Sequence, residues 1–108
     1  MTDHAFAASA MDAHTPKSVY CFSVHAAAEP DVMPRVLELF AKRNLVPASW
    51  HSTVANGLRG YEELQIDIQV QQLETKVAEH IARCLREIIH VNTVLTSEKG
   101  YSNSALSA

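Results

Sequence analysis

The residues from Tyr61 to Val70 alternate between apolar and polar side chains, and this alternation is the strongest constraint on the fold. Because successive side chains of a strand point to opposite faces, the segment predicts a strand with one face on a core and the other on water or a polar partner. The apolar set is Leu64, Ile66, Ile68 and Val70, and the polar set is Glu63, Gln65, Asp67 and Gln69.

Three further segments predict strands from their residue types and spacing, over residues 18–26, 46–54 and 90–98. A turn over residues 56–60 joins the second strand to the third. In the first strand, one side carries Tyr20, Phe22, Val24 and Ala26, and the other carries Val19, Cys21, Ser23 and His25. In the second, one side carries Val46, Ala48, Trp50 and Val54, and the other carries Ser49, His51 and Thr53.

Two segments have the spacing of an amphipathic helix, in which apolar residues recur three and four positions apart. The first begins after Pro30, where Asp31 can cap exposed amide groups, and ends near Asn44, which tolerates a left-handed cap. Its apolar stripe is Met33, Val36, Leu37 and Phe40. The second covers roughly residues 73–89, with the stripe Leu73, Val77, Ile81, Cys84, Leu85 and Ile88.

The order of elements is β-α-β-β-α-β, which predicts an α+β, ferredoxin-like sandwich. Two right-handed crossovers place both helices on one face of a four-stranded antiparallel sheet of order 4-1-3-2. One helix layer covers one face, so we expect a homodimer or a larger assembly, formed through the other face or the edge of the second strand. We call that other face the bare face; it should carry Cys21, Ser23, His25, Ser49, His51, Glu63, Gln65, Asp67 and Gln69.

The length of 108 residues predicts one domain over residues 17–99, with flexible tails over 1–16 and 100–108. A net charge of -3 with scattered basic residues argues against nucleic-acid binding. The sequence has no apolar run of membrane-spanning length and no signal-peptide pattern. Cys21 and Cys84 lie far apart without a CxxC partner, which favours reduced thiols. Together these features predict a cytoplasmic protein.

The sequence contains no recognisable catalytic or cofactor-binding pattern. The three glycines lack the spacing of a phosphate-binding loop, and Ser23, Ser52 and Cys21 lack the neighbours of an activated nucleophile. We therefore expect no catalytic residue and no cofactor. His25 and His51 could share a metal with a carboxylate, but the third strand separates them by roughly 10 Å, so no metal site is expected.

The segment 29–45 resembles the first loop and helix of ACT regulatory domains, most closely the small regulatory subunits of acetolactate synthase. Arg35-Val36, Leu39-Phe40 and Arg43 carry the match. The resemblance implies paired domains that bind a small amino acid, valine in that enzyme, beside the first strand-helix loop. It also implies docking on a large catalytic subunit. The implied ligand-binding residues are Ala28, Glu29, Pro30, Asp31, Val32, Met33 and Val46.

Three of these positions depart from the family pattern. Ala28 and Val46 stand where asparagine is usual, and Asp31 stands where glycine is usual. Like charges about 4 Å apart repel by roughly 4 kcal/mol at an effective dielectric constant of 20, so Asp31 should oppose a ligand carboxylate. The sequence therefore predicts that valine is not held in the usual way.

Three hypotheses about function remain open at this point. The first is a regulatory or assembly subunit that docks on a large catalytic subunit and biases its conformation. The second is a stand-alone dimerisation module whose ligand pocket has decayed. The third is a small enzyme or metal sensor on the same fold that uses His25 and His51, since one architecture hosts many functions.

Overall fold

The computed structural model describes residues 18–57 and 60–99. The predicted tails, 1–16 and 100–108, lie outside these residues, as do turn positions 58 and 59. The elements are β1 (Ser18–Ala27), α1 (Val32–Ala41), β2 (Ser49–Asn56), β3 (Glu62–Leu73), α2 (Thr75–Arg86) and β4 (Val91–Lys99).

The four strands form one antiparallel sheet of order β2-β3-β1-β4. This is the predicted order 4-1-3-2 read from the other edge, so the βαββαβ fold is confirmed. Ile68 of β3 is paired with Phe22 on one side and Trp50 on the other, which aligns the core-facing residues across three strands. On the opposite side, Asp67 is paired with Ser23 and His51 in the same way.

The core lies between the sheet and the two helices. Every second residue of β1 is buried, and α1 contributes Val32, Val36 and Phe40. The rings of Phe22 and Phe40 meet edge to face, with centroids 5.7 Å apart and planes 70° apart, and so join the sheet to α1. The predicted alternation in β3 is confirmed, because Leu64, Ile66, Ile68 and Val70 are all buried.

The predicted helix stripes are partly wrong. Met33 and Leu37 are 37% and 47% exposed, whereas Val32 is fully buried, because α1 meets the sheet along the row 32, 36 and 40. In α2 the alanines Ala78 and Ala82 are buried as well, a contribution the sequence pattern did not single out.

Several predicted boundaries also differ, most of all those of the second strand and the second helix. The strand expected from residue 46 starts at Ser49, and α2 spans 75–86 rather than 73–89. Leu73 belongs to β3, and the left-handed backbone of Gln72, with φ 56°, precedes the start of α2.

No helix of the described ranges has the length and apolar character needed to cross a membrane.

His90 has φ 80° in the turn between α2 and β4, a left-handed conformation that costs a residue with a Cβ about 1–2 kcal/mol. We expect His90→Gly to raise the free energy of unfolding by about 0.5–1 kcal/mol, since glycine's extra freedom in the unfolded chain offsets part of the relief. Urea unfolding measures the change. Asn44→Gly is the matched control at φ 58°, and it should shift stability by only a few tenths of a kcal/mol because asparagine tolerates this region. A destabilised His90→Gly would contradict the expectation.

Candidate functional site

The loop between β1 and α1 is held by a chain of backbone hydrogen bonds. The amide of Ala27 donates to the carbonyl of His90 at 2.9 Å, which ties the end of β1 to the turn before β4. The amide of Glu29 donates to Ala27 at 2.8 Å, and the amide of Val32 donates to Glu29 at 3.2 Å. The loop backbone is therefore a fixed platform at the start of α1.

The first turn of α1 offers few donors to an anion. The amide of Val32 is already used, and Pro34 has no N–H group. The amide of Met33 makes no backbone hydrogen bond within residues 18–57 and 60–99. The amide of Asp31 makes none there either, so both amides are available to a carboxylate at this helix start.

Asp31 stands at the N-cap position of α1, but its side chain does not cap the helix. Its Oδ2 instead accepts a hydrogen bond from Nε of Arg35 at 3.1 Å, and the two side chains are 50% and 56% exposed. An exposed pair of this kind contributes at most about 1 kcal/mol to stability. Arg35 nevertheless offsets the negative charge that Asp31 presents to a ligand, and solvent screens the remainder.

The expected ligand-binding residues divide between two sides of the loop. Ala28 and Glu29 line a groove of about 620 Å³ that also contains Glu62, Glu63 and Tyr61. We call this the acidic groove. His25 approaches it, with Nδ1 3.7 Å from Oε2 of Glu63.

On the other side of the loop, Pro30 and Met33 line an open groove of about 660 Å³. We call this the apolar groove, and its lining residues are Pro30, Met33, Pro34, Leu37, Pro47 and Trp50. Asp31 lies in a shallow depression with Arg35 and Glu38. Val32 is fully buried, and Val46 is 85% exposed and lines none of these three depressions.

Sequence reasoning missed the apolar groove because it assigned Met33 and Leu37 to the core. A signal was present: two neighbouring rows, 32-36-40 and 33-37, are both apolar, and a short helix on a sheet buries one row more deeply than the other. The second row borders the start of β2, where Pro47 and Trp50 complete the groove.

The two edge strands of the sheet differ in chemistry. β2 reads Ser-Trp-His-Ser-Thr-Val-Ala-Asn and contains no Asp, Glu, Lys or Arg. β4 carries Glu98 and Lys99, and the carbonyl of Val94 accepts a hydrogen bond from Nη2 of Arg86 at 3.0 Å. Because charged side chains and occupied backbone groups discourage strand pairing, β2 is the edge more open to association.

The bare face carries the polar residues predicted for it. His51 is paired with Asp67, which is paired with Ser23. His25 is paired with Gln65, so β3 separates the two histidines as expected.

The described residues contain no group of three or more His, Cys, Asp or Glu side chains that could hold a metal ion. Cys21 and Cys84 are both thiols outside any disulfide.

Residues 12–102 match the sequence profile of the ACT-like domain. This chain belongs to the ACT-like domain family. None of the curated proteins compared with this chain matches it. The structure of the ACT-like domain resembles solved structures at sequence identities that show the fold alone.

One is the ACT domain from GTP pyrophosphokinase of Chlorobium tepidum, with a TM-score of 0.61 and 10% identity, over 75% of this chain and 99% of that one. Another is the C-terminal domain of the MgtC protein from Mycobacterium tuberculosis, with a TM-score of 0.62 and 9% identity, over 80% of this chain and 92% of that one. A third is an unknown protein from Galdieria sulphuraria, with a TM-score of 0.63 and 11% identity, over 78% of this chain and 51% of that one. ACT domains are generally regulatory and non-catalytic, and they often dimerise and bind small amino acids.

Proposed function

We propose that this ACT-like domain is a regulatory module that works as a side-by-side dimer, with a small amino acid bound at the loop 28–33. One observation carries the proposal: the loop, the apolar groove and the uncharged edge of β2 are contiguous. Pro30 and Met33 belong to both the loop and the groove, and Trp50 belongs to both the groove and β2.

A second copy can cover both the open edge of β2 and the apolar groove. Pairing β2 with β2 of the partner in antiparallel orientation supplies acceptors and donors to the open edge and extends the sheet to eight strands. The same contact brings the two apolar grooves together, so that Met33 and Leu37 of each copy leave water. The contact is isologous, as a two-fold dimer requires.

The ligand site then lies at the border of the dimer. A ligand carboxylate meets the Met33 amide, and an apolar ligand side chain lies against Pro30 and the groove. Asp31 opposes the carboxylate, with Arg35 offsetting part of that charge. This arrangement supports an α-amino acid with an apolar side chain, bound more weakly than a site with glycine at position 31 would bind it.

Asp31→Gly is expected to tighten amino-acid binding about tenfold, since removal of a partly screened like charge is worth roughly 1.4 kcal/mol. Isothermal titration of the wild type against the twenty common amino acids identifies the ligand, and titration of Asp31→Gly with that ligand measures the change. Glu38→Gln is the control, because it changes the net charge equally at a residue about two helical turns along α1 from Asp31, in the same depression. It should leave the dissociation constant within twofold.

The titration separates the first two hypotheses about function. Absence of heat with every amino acid, for both the wild type and Asp31→Gly, would remove the sensor function and leave a dimerisation module. Equal affinity of the two proteins for one amino acid would instead place the ligand away from Asp31.

We further propose a large catalytic subunit as the regulated partner, with acetolactate synthase as the candidate. The support is the match at Arg35-Val36, Leu39-Phe40 and Arg43. Val36 and Phe40 lie in the core, and Arg43 donates to the carbonyl of Leu39 at 3.4 Å, so folding accounts for much of the motif. Affinity capture with the tagged domain tests the partner: recovery of a thiamine-diphosphate enzyme supports it, and recovery of the domain alone contradicts it.

A further inference from the structure

We propose that the bare face is a second self-association surface, on which another copy packs face to face with its β1 over β3. This contact is separate from the β2 edge, because it uses the broad side of the sheet opposite the helices. Two side-by-side dimers could therefore join through it into a tetramer with sheets in the middle and helices outside.

The shape of the bare face is self-complementary. A hollow of about 580 Å³ lies across the sheet, and its lining combines the small side chains of Cys21, Ser23, Ser49 and Ser97 with larger ones such as His51 and Gln69. Leu95 lies at the edge of this hollow and is 59% exposed. It supplies a large apolar side chain that projects from an otherwise mostly polar face among the described residues. A projection and a hollow on one surface are what an isologous contact between copies requires.

Charge selects how the two faces align. The charged residues of β3 on this face, Glu63 and Asp67, are both acidic. The other strands carry on this face His25, His51 and Lys99 but no acid. Placing β3 over β3 of the partner would bring carboxylates together, whereas placing β3 over the partner's β1 avoids that repulsion.

This alignment pairs specific groups. With the two-fold axis parallel to the strands and between β1 and β3, Asp67 of each copy lies over Ser23 of the other, whose hydroxyl can donate to the carboxylate. Leu95 of β4 lies over β2 of the other copy, against Ser49 and His51 at the hollow. Glu63 comes near the other copy's His25.

The size of the face sets the expected strength of the contact. Four strands about 4.8 Å apart and some 26 Å long cover roughly 500 Å² in each copy, or about 1,000 Å² in total. That is the lower end of specific protein interfaces. The contact should therefore be concentration-dependent rather than permanent.

The test uses charge complementation between two chains, measured by sedimentation equilibrium in a Leu37→Glu background that disables the proposed β2-edge contact. Ser23→Asp places a carboxylate opposite the other copy's Asp67, and the two-fold symmetry repeats this repulsive pair twice in each contact. It should raise the dissociation constant of self-association at least tenfold. An equimolar mixture of Ser23→Asp and Asp67→Lys chains should restore association to within threefold of the Leu37→Glu parent, because the introduced lysine of one chain then meets the introduced aspartate of the other.

Ser23 is also the cross-strand neighbour of Asp67 within its own chain, so circular dichroism must show that Ser23→Asp folds. Asp67→Lys chains place their lysine over Ser23 and can associate with one another, so their self-association is measured alone. In the mixture one variant carries a fluorescent label, so that only complexes between Ser23→Asp and Asp67→Lys chains count as restored association. Ile89→Glu is the control, since Ile89 is 66% exposed in the turn after α2 and should leave association unchanged.

Three results would overturn the proposal: a monomeric Leu37→Glu parent at millimolar concentration, unimpaired association of Ser23→Asp, or a mixture no stronger than Ser23→Asp alone. The side-by-side dimer is judged separately, by whether Leu37→Glu itself lowers the mass of the wild-type assembly.

Discussion

Phe22→Ala is expected to lower the free energy of unfolding by about 3–5 kcal/mol, the largest effect we anticipate for a single substitution. Phe22 is 1% exposed in central strand β1, and its ring meets that of Phe40, which is fully buried in α1. Truncation leaves a cavity where the sheet and α1 join, and it removes the edge-to-face contact as well. A domain of this size has about 5–10 kcal/mol of total stability, so the variant should be partly unfolded at 37 °C.

Urea unfolding followed by circular dichroism measures the difference, at one fixed protein concentration because self-association adds to apparent stability. Tyr61→Ala is the matched control: it removes an aromatic ring that is 74% exposed, and it should change stability by no more than about 0.5 kcal/mol. An unchanged midpoint for Phe22→Ala would show that the packing of α1 on the sheet is not as described.

Leu37→Glu is expected to convert the side-by-side dimer into a monomer and to raise its dissociation constant at least a hundredfold, about 2.7 kcal/mol. Leu37 is 47% exposed in the apolar groove, so the fold should tolerate a carboxylate there. In the dimer, however, the two grooves meet, and each copy would bury an unpaired charge against an apolar surface. Sedimentation velocity across micromolar concentrations measures the shift.

Ile89→Glu introduces the same charge at a comparably exposed apolar residue outside the groove, and it should sediment as the wild type does. Circular dichroism of both variants should show an intact fold. If Leu37→Glu sediments as a dimer with wild-type affinity, the groove is not the dimer contact. The proposed ligand site would then not lie at a dimer border.

The sheet could be predicted from the sequence because alternation is a local property. The period of two in residues 61–70 fixes which side of β3 is buried, and pairing then carries the same sides onto β1 and β2. Which row of α1 faces the sheet could not be predicted with the same certainty. The spacing of Met33, Val36, Leu37 and Phe40 is the same whether the row 32-36-40 or the row 33-37 faces the sheet, and only the position of α1 over the strands decides.

The location of the candidate site comes from the sequence and stays a prediction, whereas the arrangement of its residues could not be predicted. The motif in 29–45 points to the loop before α1, whereas burial of Val32 and exposure of Val46 depend on how the loop crosses the sheet edge. The contact between Arg35 and Asp31 alters the expected effect of position 31 on a ligand. It was available from the spacing of four residues on a helix, but a family pattern with glycine at that position gives no reason to look for it.

The hydrogen bond from Arg86 to the Val94 carbonyl has a consequence for how far assembly can proceed. A sheet whose two margins were equally receptive could add copies at both ends and grow into an indefinite ribbon. In the side-by-side dimer that we propose, the β4 margin carries this hydrogen bond together with Glu98 and Lys99, and both features oppose the addition of a further strand there. The proposed pairing of β2 with β2 would then limit the sheet to two copies.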